Sequence, residues 1–402
     1  MATLLAPEAI DTLKRQACSR IDELGPRLID VSQRIWQTPE TLFQERQAAG
    51  WLVELLRDSG YDVELGVGDL ATAFTGTRRN GVGPTIGIFS EYDALPEIGH
   101  GCGHNLLAIS GVGAGVGLAA VADSVPGTIK IHGTPAEEGG SGKTLLLRAG
   151  VFDDLDVAVI FHPADNASVL ERMRTGQGLL FTFRGKAAHA AAHPELAIDA
   201  LNGVIALFNN VNLLRQHFRP DVSVTGSIID GGGRRAFPLK AVARFVVRVL
   251  EGETDFIALR EMVVNCGKAA ALATRTELDI EFENIERGMK LNELLTDLAV
   301  TNARTIGVDL SQRRTMLGMS DFGNVSHRIP ATHFSTATWP QGTVAHTLDA
   351  AEASRRPGAF EAALDAAKIE AMATIDLLAQ PELVTRARAE FDANDTGEVP
   401  LS

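Results

Sequence analysis

PTIGIFSEYDALP, residues 84–96, is the stretch on which the fold turns: a short apolar run that stops abruptly in two carboxylates, Glu91 and Asp93. Continuous apolar character over so few residues reads as a strand buried on both faces, the kind that parallel sheets contain. The same grammar recurs downstream. GTIKIHGTPAEEGG (127–140) finishes in Glu137 and Glu138, and DVAVIFHPAD (156–165) finishes in His162. Helical material separates the three runs, at 105–122 and in KTLLLRAGVF (143–152). Strand, helix, strand, helix, strand at this spacing predicts an α/β unit with a mostly parallel sheet. Such sheets place their sites beyond the carboxyl ends of the strands, so three polar strand tips in succession predict chemistry along one edge.

Working outward, residues 10–50 have helical spacing with few breakers until Thr38-Pro39, and WLVELLRDSG passes into the strand YDVELGVG. The character changes at about Thr175. A strand (TGQGLLFTFRG), a long helix (194–218), two strands (VSVTGSII and LKAVARFVVRVLEG), a helix (255–274) and a further strand (TELDIEFENIERG) follow. That strand–helix–strand–strand–helix–strand order is the pattern of a small split βαβ, ferredoxin-like domain. After Lys290 the chain reads again as helix, loop and strand, and it closes in Ala-rich helices. The expectation is a discontinuous main domain, 1–174 and 290–402, interrupted by an inserted domain over 175–289.

Length and composition agree. At about 150 residues per domain, 402 residues suit two or three domains. A hydrophobic fraction of 45% with 22% charged residues fits a globular core and excludes disorder and collagen. Three cysteines cannot all pair, which points to a reducing compartment rather than a disulfide scaffold. A net charge of −14 argues against a non-specific nucleic-acid binder. The most apolar stretch, 106–122, is broken by glycines and Ser110, so it reads as a buried helix and not a membrane span. A cytoplasmic protein acting on a small molecule, without nucleic acid or membrane, is expected.

All ten histidines lie between positions 100 and 346, and HGCGHN is the densest cluster. One glycine separates Cys102 from His104, a spacing that lets both side chains reach one ion. Thiolate with imidazole suits zinc, and imidazole with carboxylate also suits manganese or cobalt. The plainer alternative is a buried thiol beside surface histidines. Glu137 and Glu138 admit two readings too. They face solvent, or they divide labour, one binding metal while the other moves a proton between water and leaving group. His162 alone would be a packing residue, and His346 in GTVAHTLDA is the distant contributor that suits best. Together these residues, with Asp93 nearby, can hold two metal ions.

SEYDALPEIGHGCGHN, GTPAEEGG, FHP, MSDFGNVSH and VAHT together resemble the M20 metallopeptidases, and within them the amidohydrolase branch that holds aminobenzoyl-glutamate hydrolases and dipeptidase-like relatives. The likeness runs from about Arg20 to the RARAEF tail. It implies a zinc-peptidase-like catalytic domain with two divalent ions (zinc or manganese, or else cobalt) and an inserted lid that forms a homodimer. Carried over, Cys102, His104, Glu138, His162 and His346 are the implied metal ligands and Glu137 the general base and acid. Asp93 is the implied supporting carboxylate, and Asp321 and Asn324 match a segment that lines the cleft. The implied activity is hydrolysis of the amide bond of an N-acyl or N-aroyl amino acid. Cleavage of small dipeptides and a non-catalytic ligand-binding role are the alternatives.

Two places depart from the family pattern. Thr225 stands where a lid histidine is expected to hold the carbonyl oxygen. The family's GG-x-x-x-N-x-x-P segment reads GGGRRAFPLK, without the asparagine. Arg234 and Arg235 are candidates to take over oxyanion binding or to grip a substrate carboxylate. Loss of an oxyanion donor costs about 3–4 kcal/mol in an enzyme built around it. Altered specificity is therefore the expected consequence.

Overall fold

A computed structural model describes residues 5–234, 236–250 and 253–394, which divide into two compact units. The first unit takes residues 5–172, 289–316 and 320–394, and the second takes the described part of 173–288 with 317–319.

In the first unit the chain runs α1 (Pro7–Gln37), α2 (Arg46–Asp58), β1 (Asp62–Leu65), β2 (Phe74–Asn80), β3 (Thr85–Ser90), α3 (His104–Ala119) and β4 (Gly127–Gly133). It continues through a single turn α4 (Glu137–Gly140), α5 (Gly142–Arg148), β5 (Val157–Phe161) and β6 (Ser168–Met173). The second unit holds β7 (Thr175–Arg184), α6 (Ala200–Leu214), β8 (Val222–Asp230), β9 (Lys240–Val249), α7 (Glu253–Thr274) and β10 (Glu277–Glu286). Back in the first unit are α8 (Glu293–Thr305), β11 (Arg313–Met316), α9 (Phe322–Ser326), β12 (Ala331–Ser335), α10 (Leu348–Ala353), α11 (Pro357–Ala379) and α12 (Pro381–Ala393).

The large sheet has the order β1-β2-β4-β3-β5-β12-β6-β11. Its centre is parallel, β4 beside β3, β3 beside β5 and β5 beside β12. Its flanks are not: β2 runs antiparallel to both β4 and β1, and β6 antiparallel to β12. The sheet is therefore mixed, which corrects the expectation of a mostly parallel one. The parallel strands β3 and β5 are apolar runs buried on both faces and legible as such. The flanking strands β6 (SVLERM) and β11 (RRTM) are partly exposed and carry no two-residue apolar rhythm to detect.

β3 lies between β4 and β5, so the chain crosses over β3 on its way from one to the other. That reversal of strand order opens a crevice at the carboxyl ends of the three strands. Helix α1 buries Ile10, Leu13, Ala17, Ile21, Leu28, Val31 and Ile35, the three-to-four spacing of a single apolar face. Helix α3, by contrast, is buried all round from His104 to Leu118, which is why its sequence looks apolar enough for a membrane and serves a core instead. Among the described residues no helix is long and apolar enough to cross a membrane.

The second unit is a four-stranded antiparallel sheet in the order β10-β7-β9-β8, crossed by α6 and α7. Phe181, Phe183 and Phe245 from the sheet pack with Val204, Leu207 and Val263 from the helices to make its separate core.

Candidate metal centre

Beyond Ser90, at the end of β3, the chain leaves the sheet and carries Glu91 and Asp93 into the interior, where both are buried. Asp93 does two jobs there. Its Oδ1 lies 2.9 Å from His104 Nδ1, and its Oδ2 accepts the backbone N–H of Glu138 at 2.9 Å. The first contact turns His104 Nε2 inward, and the second ties the β4 tip to the β3 tip.

The HGCGHN turn delivers its two donors in different ways. Gly103 holds a left-handed conformation (φ 75°) at the start of α3, so His104 is the first residue of a buried helix. Gly101 allows the segment from the far end of the chain to close in. A Cβ there would meet Ile98 Cγ2 at 2.6 Å and the Thr347 carbonyl at 3.1 Å, and the Gly101 carbonyl accepts the His346 N–H at 2.9 Å. His346 is thereby pinned one residue from Cys102 despite a gap of more than 240 positions in sequence. His100 faces the other way, with Nε2 3.1 Å from the Ile35 carbonyl, and burial pushes its pKa down to about 3.

Two sets of donors come together. Cys102, His104 and His162 offer atoms within 4.8 Å of one another, and so do Cys102, Glu138 and His346. Cys102 belongs to both, which places two candidate ion positions side by side. Within these sets Cys102 Sγ is 3.5 Å from His162 Nε2, and His346 Nε2 is 3.3 Å from Glu138 Oε1. A third group, Glu91, His104 and Glu137, adjoins them.

Divalent cations fit this arrangement. His104 Nε2 and Glu138 Oε1 are buried and make no well-formed hydrogen bond within the protein, which is costly unless something else meets them. A thiol, imidazoles and a carboxylate are together the donors that zinc, manganese or cobalt take. Burial would raise the Glu138 carboxyl, yet the close contact with His346 and the neighbouring His104 hold it down to about 2, in the ionised form a ligand needs. Burial also raises the Cys102 thiol well above its ordinary value, a bias that a nearby cation reverses.

Glu137 has the opposite environment. Desolvation, followed by the charges of Glu91, Glu138 and Asp321, pushes its carboxyl well above the usual range. Adjacent glutamates thus receive divergent affinities for a proton, the situation that separates a proton carrier from a ligand. The turn that aims them is strained. Ala136 sits at φ 56°, an unfavourable left-handed conformation for an L-residue, and its N–H is held by the buried Glu45 Oε1 at 3.1 Å.

Three residues were not anticipated. Lys143, fully buried at the start of α5, places Nζ 2.6 Å from Glu91 Oε1 and 2.7 Å from Asp321 Oδ1. The signal was a lone lysine in an otherwise apolar helix after a glycine turn. Glu91, read only as a strand tip, lies 3.2 Å from His104 Nε2 through Oε2. Arg314, on a strand that carries no periodic signal, left no sequence trace.

The remaining candidates have other surroundings. Asp321 accepts the Lys143 backbone N–H at 2.7 Å besides its ammonium, and Asn324 donates to Thr144 Oγ1 at 2.6 Å. Both are buried, Asp321 against Lys143 and Asn324 against Thr144. Thr225 lies on β8 of the second unit and accepts from Arg248 Nη1 at 3.1 Å. Arg234 is exposed in the turn after β8, and Arg235 lies outside the described residues.

Comparison with known proteins agrees with this geometry. Residues 87–366 match the model of peptidase family M20/M25/M40. The Xaa-Arg dipeptidase of Mus musculus is 34% identical over 405 residues, covering 95% of this chain and 93% of the relative. A p-aminobenzoyl-glutamate hydrolase subunit of Escherichia coli is 33% identical over 278 residues, covering 64% of this chain and 58% of the relative. Among solved structures, an aminobenzoyl-glutamate utilization protein from Klebsiella pneumoniae superposes with a TM-score of 0.71 at 18% identity, covering 87% of this chain and 98% of that one. A dinuclear metal binding peptidase of the M20 family from Bacillus subtilis gives 0.66 at 19% identity, covering 89% and 99%. The matched segment contains every donor in the cluster and the relatives align along most of the chain, which therefore belongs to peptidase family M20/M25/M40 as a dinuclear metal-dependent hydrolase.

Proposed function

We propose that the chain is an amidohydrolase that cleaves the amide bond of an N-acyl or N-aroyl amino acid, with Glu137 as general base and acid. The observation that carries this reading is the contrast between the two adjacent glutamates: Glu138 shares a donor set with Cys102 and His346 and is held ionised, while Glu137 groups with Glu91 and His104 and has a raised proton affinity. Cys102, His104, Glu138, His162 and His346 would hold two divalent ions, zinc, manganese or cobalt. When bound, such ions supply Lewis acidity, which polarises a carbonyl and makes water easier to deprotonate.

The residues of the chain do the rest. Asp93 keeps His104 in the tautomer whose Nε2 faces the cluster. Glu137 takes a proton from the attacking water at its carboxylate and passes it to the departing amine, so one group serves both halves of the reaction. Glu91, fixed by Lys143, adds negative charge behind Glu137 and keeps its proton affinity high. The second unit would act as a split βαβ lid and as the surface of a homodimer, bringing Thr225, Arg234 or Arg235 to the acyl oxygen or to a substrate carboxylate. A cytoplasmic location completes this reading.

A second reading, cleavage of small dipeptides, is favoured by the full-length likeness to proteins named Xaa-Arg dipeptidase. One experiment serves both. Metal-loaded protein is offered a panel of N-acyl amino acids and dipeptides, and free amino acid is measured with and without chelator. No release from any member of the panel overturns the amidohydrolase reading. Glu137→Gln should abolish turnover and keep its metal, whereas loss of metal in that variant would make Glu137 a ligand and refute the division of labour.

A further inference from the structure

Arg314 is a cation at the edge of the donor cluster that makes no ion pair among the described residues. It lies on β11 in the first unit, and its Nη2 donates to Ser335 Oγ at 3.1 Å. Ser335 closes β12, and Phe334 just before it accepts the backbone N–H of His162 at 2.9 Å. The guanidinium is thus tethered at the carboxyl end of the central strands, beside the residue that follows β5. Its charge acts on His162 and His333, whose rings stack with centroids 5.8 Å apart, and it feels first the Asp165 carboxylate and then Cys102 in return.

What distinguishes Arg314 is the company it lacks. Its neighbour Arg313 is exposed and pairs with Glu293 at 2.6 Å. Arg314 is half-buried and has a buried Nε without a hydrogen bond; Asp165 is a carboxylate whose charge reaches it, yet no carboxylate among the described residues comes within ion-pair distance. Burial pulls its pKa down, the mark of a charge held in a poorly solvated place. An arginine in that position is destabilising unless an anion meets it, and its planar fork of donors matches a carboxylate.

We propose that Arg314 binds the carboxylate of the amino-acid half of the substrate, next to the metal centre, and so selects amides of free amino acids. The inference rests on the amidohydrolase reading, and it moves the carboxylate grip from Arg234 and Arg235 in the second unit to a strand of the first. It also gives the site its direction: the carboxylate anchors at β11 and β12, so the acyl half must extend the other way.

The test compares an N-acyl amino acid with its C-terminal amide, which keeps the scissile bond and lacks the charge. Wild-type protein, Arg314→Met and Arg314→Lys are studied at matched metal content. Removal of a charge-assisted contact should raise KM for the free acid roughly 10- to 100-fold and leave kinetics on the amide within about threefold. Arg314→Lys should recover part of the loss. An equal fall on both substrates, or no change on either, overturns the proposal. If wild-type protein cleaves neither, the amidohydrolase reading fails first. Arg314 is then judged by calorimetric binding of the free acid and the amide: a preference for the acid that Arg314→Met abolishes supports it, and no preference overturns it.

Discussion

Lys143 shows how much of a site can hang on one residue that no motif announces. It has no exposed surface, and it is the cation that lies between two buried carboxylates. The neighbouring charges of Asp321 and Glu91 more than offset the burial that would otherwise discharge it. Replacing Lys143 by methionine leaves Glu91 and Asp321 buried and unpaired, so a loss of about 3–5 kcal/mol is expected in denaturant unfolding. Asp321→Asn should cost less, because Lys143 then still serves Glu91. Cys102 and His104 were readable as candidate donors because one glycine between thiol and imidazole lets both reach one point. Lys143 was not, because a lysine in a short helix ordinarily faces water, and only the packing of α5 against α9 decides otherwise.

At the scale of elements, the turn between β4 and α5 carries the two glutamates and has almost no room. A Cβ on Gly142 would overlap the Pro135 carbonyl oxygen, so Gly142→Ala must displace the segment that aims Glu137 and Glu138. Activity should fall at least tenfold with a lowered melting temperature, since backbone cannot yield as a side-chain tip can. The pairing of α3 with α11 makes a different prediction. Glu370, fully buried on α11, accepts from Ser110 Oγ at 2.7 Å, and burial raises its pKa from 4.5 to about 8. Its carboxyl stays protonated in the fold while the unfolded chain ionises. The stability it allows is therefore complete below pH 4.5, declines as pH rises and levels off near pH 8, a fall on the order of several kcal/mol. Glu370→Gln should flatten that slope in melts recorded from pH 5 to 8. Neither helix showed this in sequence, since the alanine-rich run that holds Glu370 signals helix propensity and not which face is buried.

For the whole molecule, insertion of one unit into another has a simple geometric basis. β10 pairs antiparallel with β7, with Glu286 opposite Gly176, so the inserted unit begins and ends at neighbouring positions. A host chain can accommodate such a unit without rearranging its own sheet. The outer strand β8 leaves Ile228 and Ile229 exposed on an unpaired edge of that sheet. If the proposed homodimer forms there, Ile228→Lys with Ile229→Lys should give monomers in sedimentation. Metal linkage is the other molecular property. A chelator should lower the melting temperature reversibly, because ions that bind only the folded donors stabilise it by mass action.

The sequence by itself determined the α/β core, the order of elements in the inserted unit and the family, and it named residues whose donor atoms gather. All of these rest on local signals: apolar runs, turn glycines, and ligand-type residues at strand tips. Only the tertiary structure decided that the sheet is mixed, that Asp321 meets Lys143 and Asn324 meets Thr144, and that Glu91 and Lys143 pair beside the cluster. The reason is physical. Strand direction and the pairing of buried charges are properties of neighbours brought together from distant parts of the chain, and a window of adjacent residues carries no record of them.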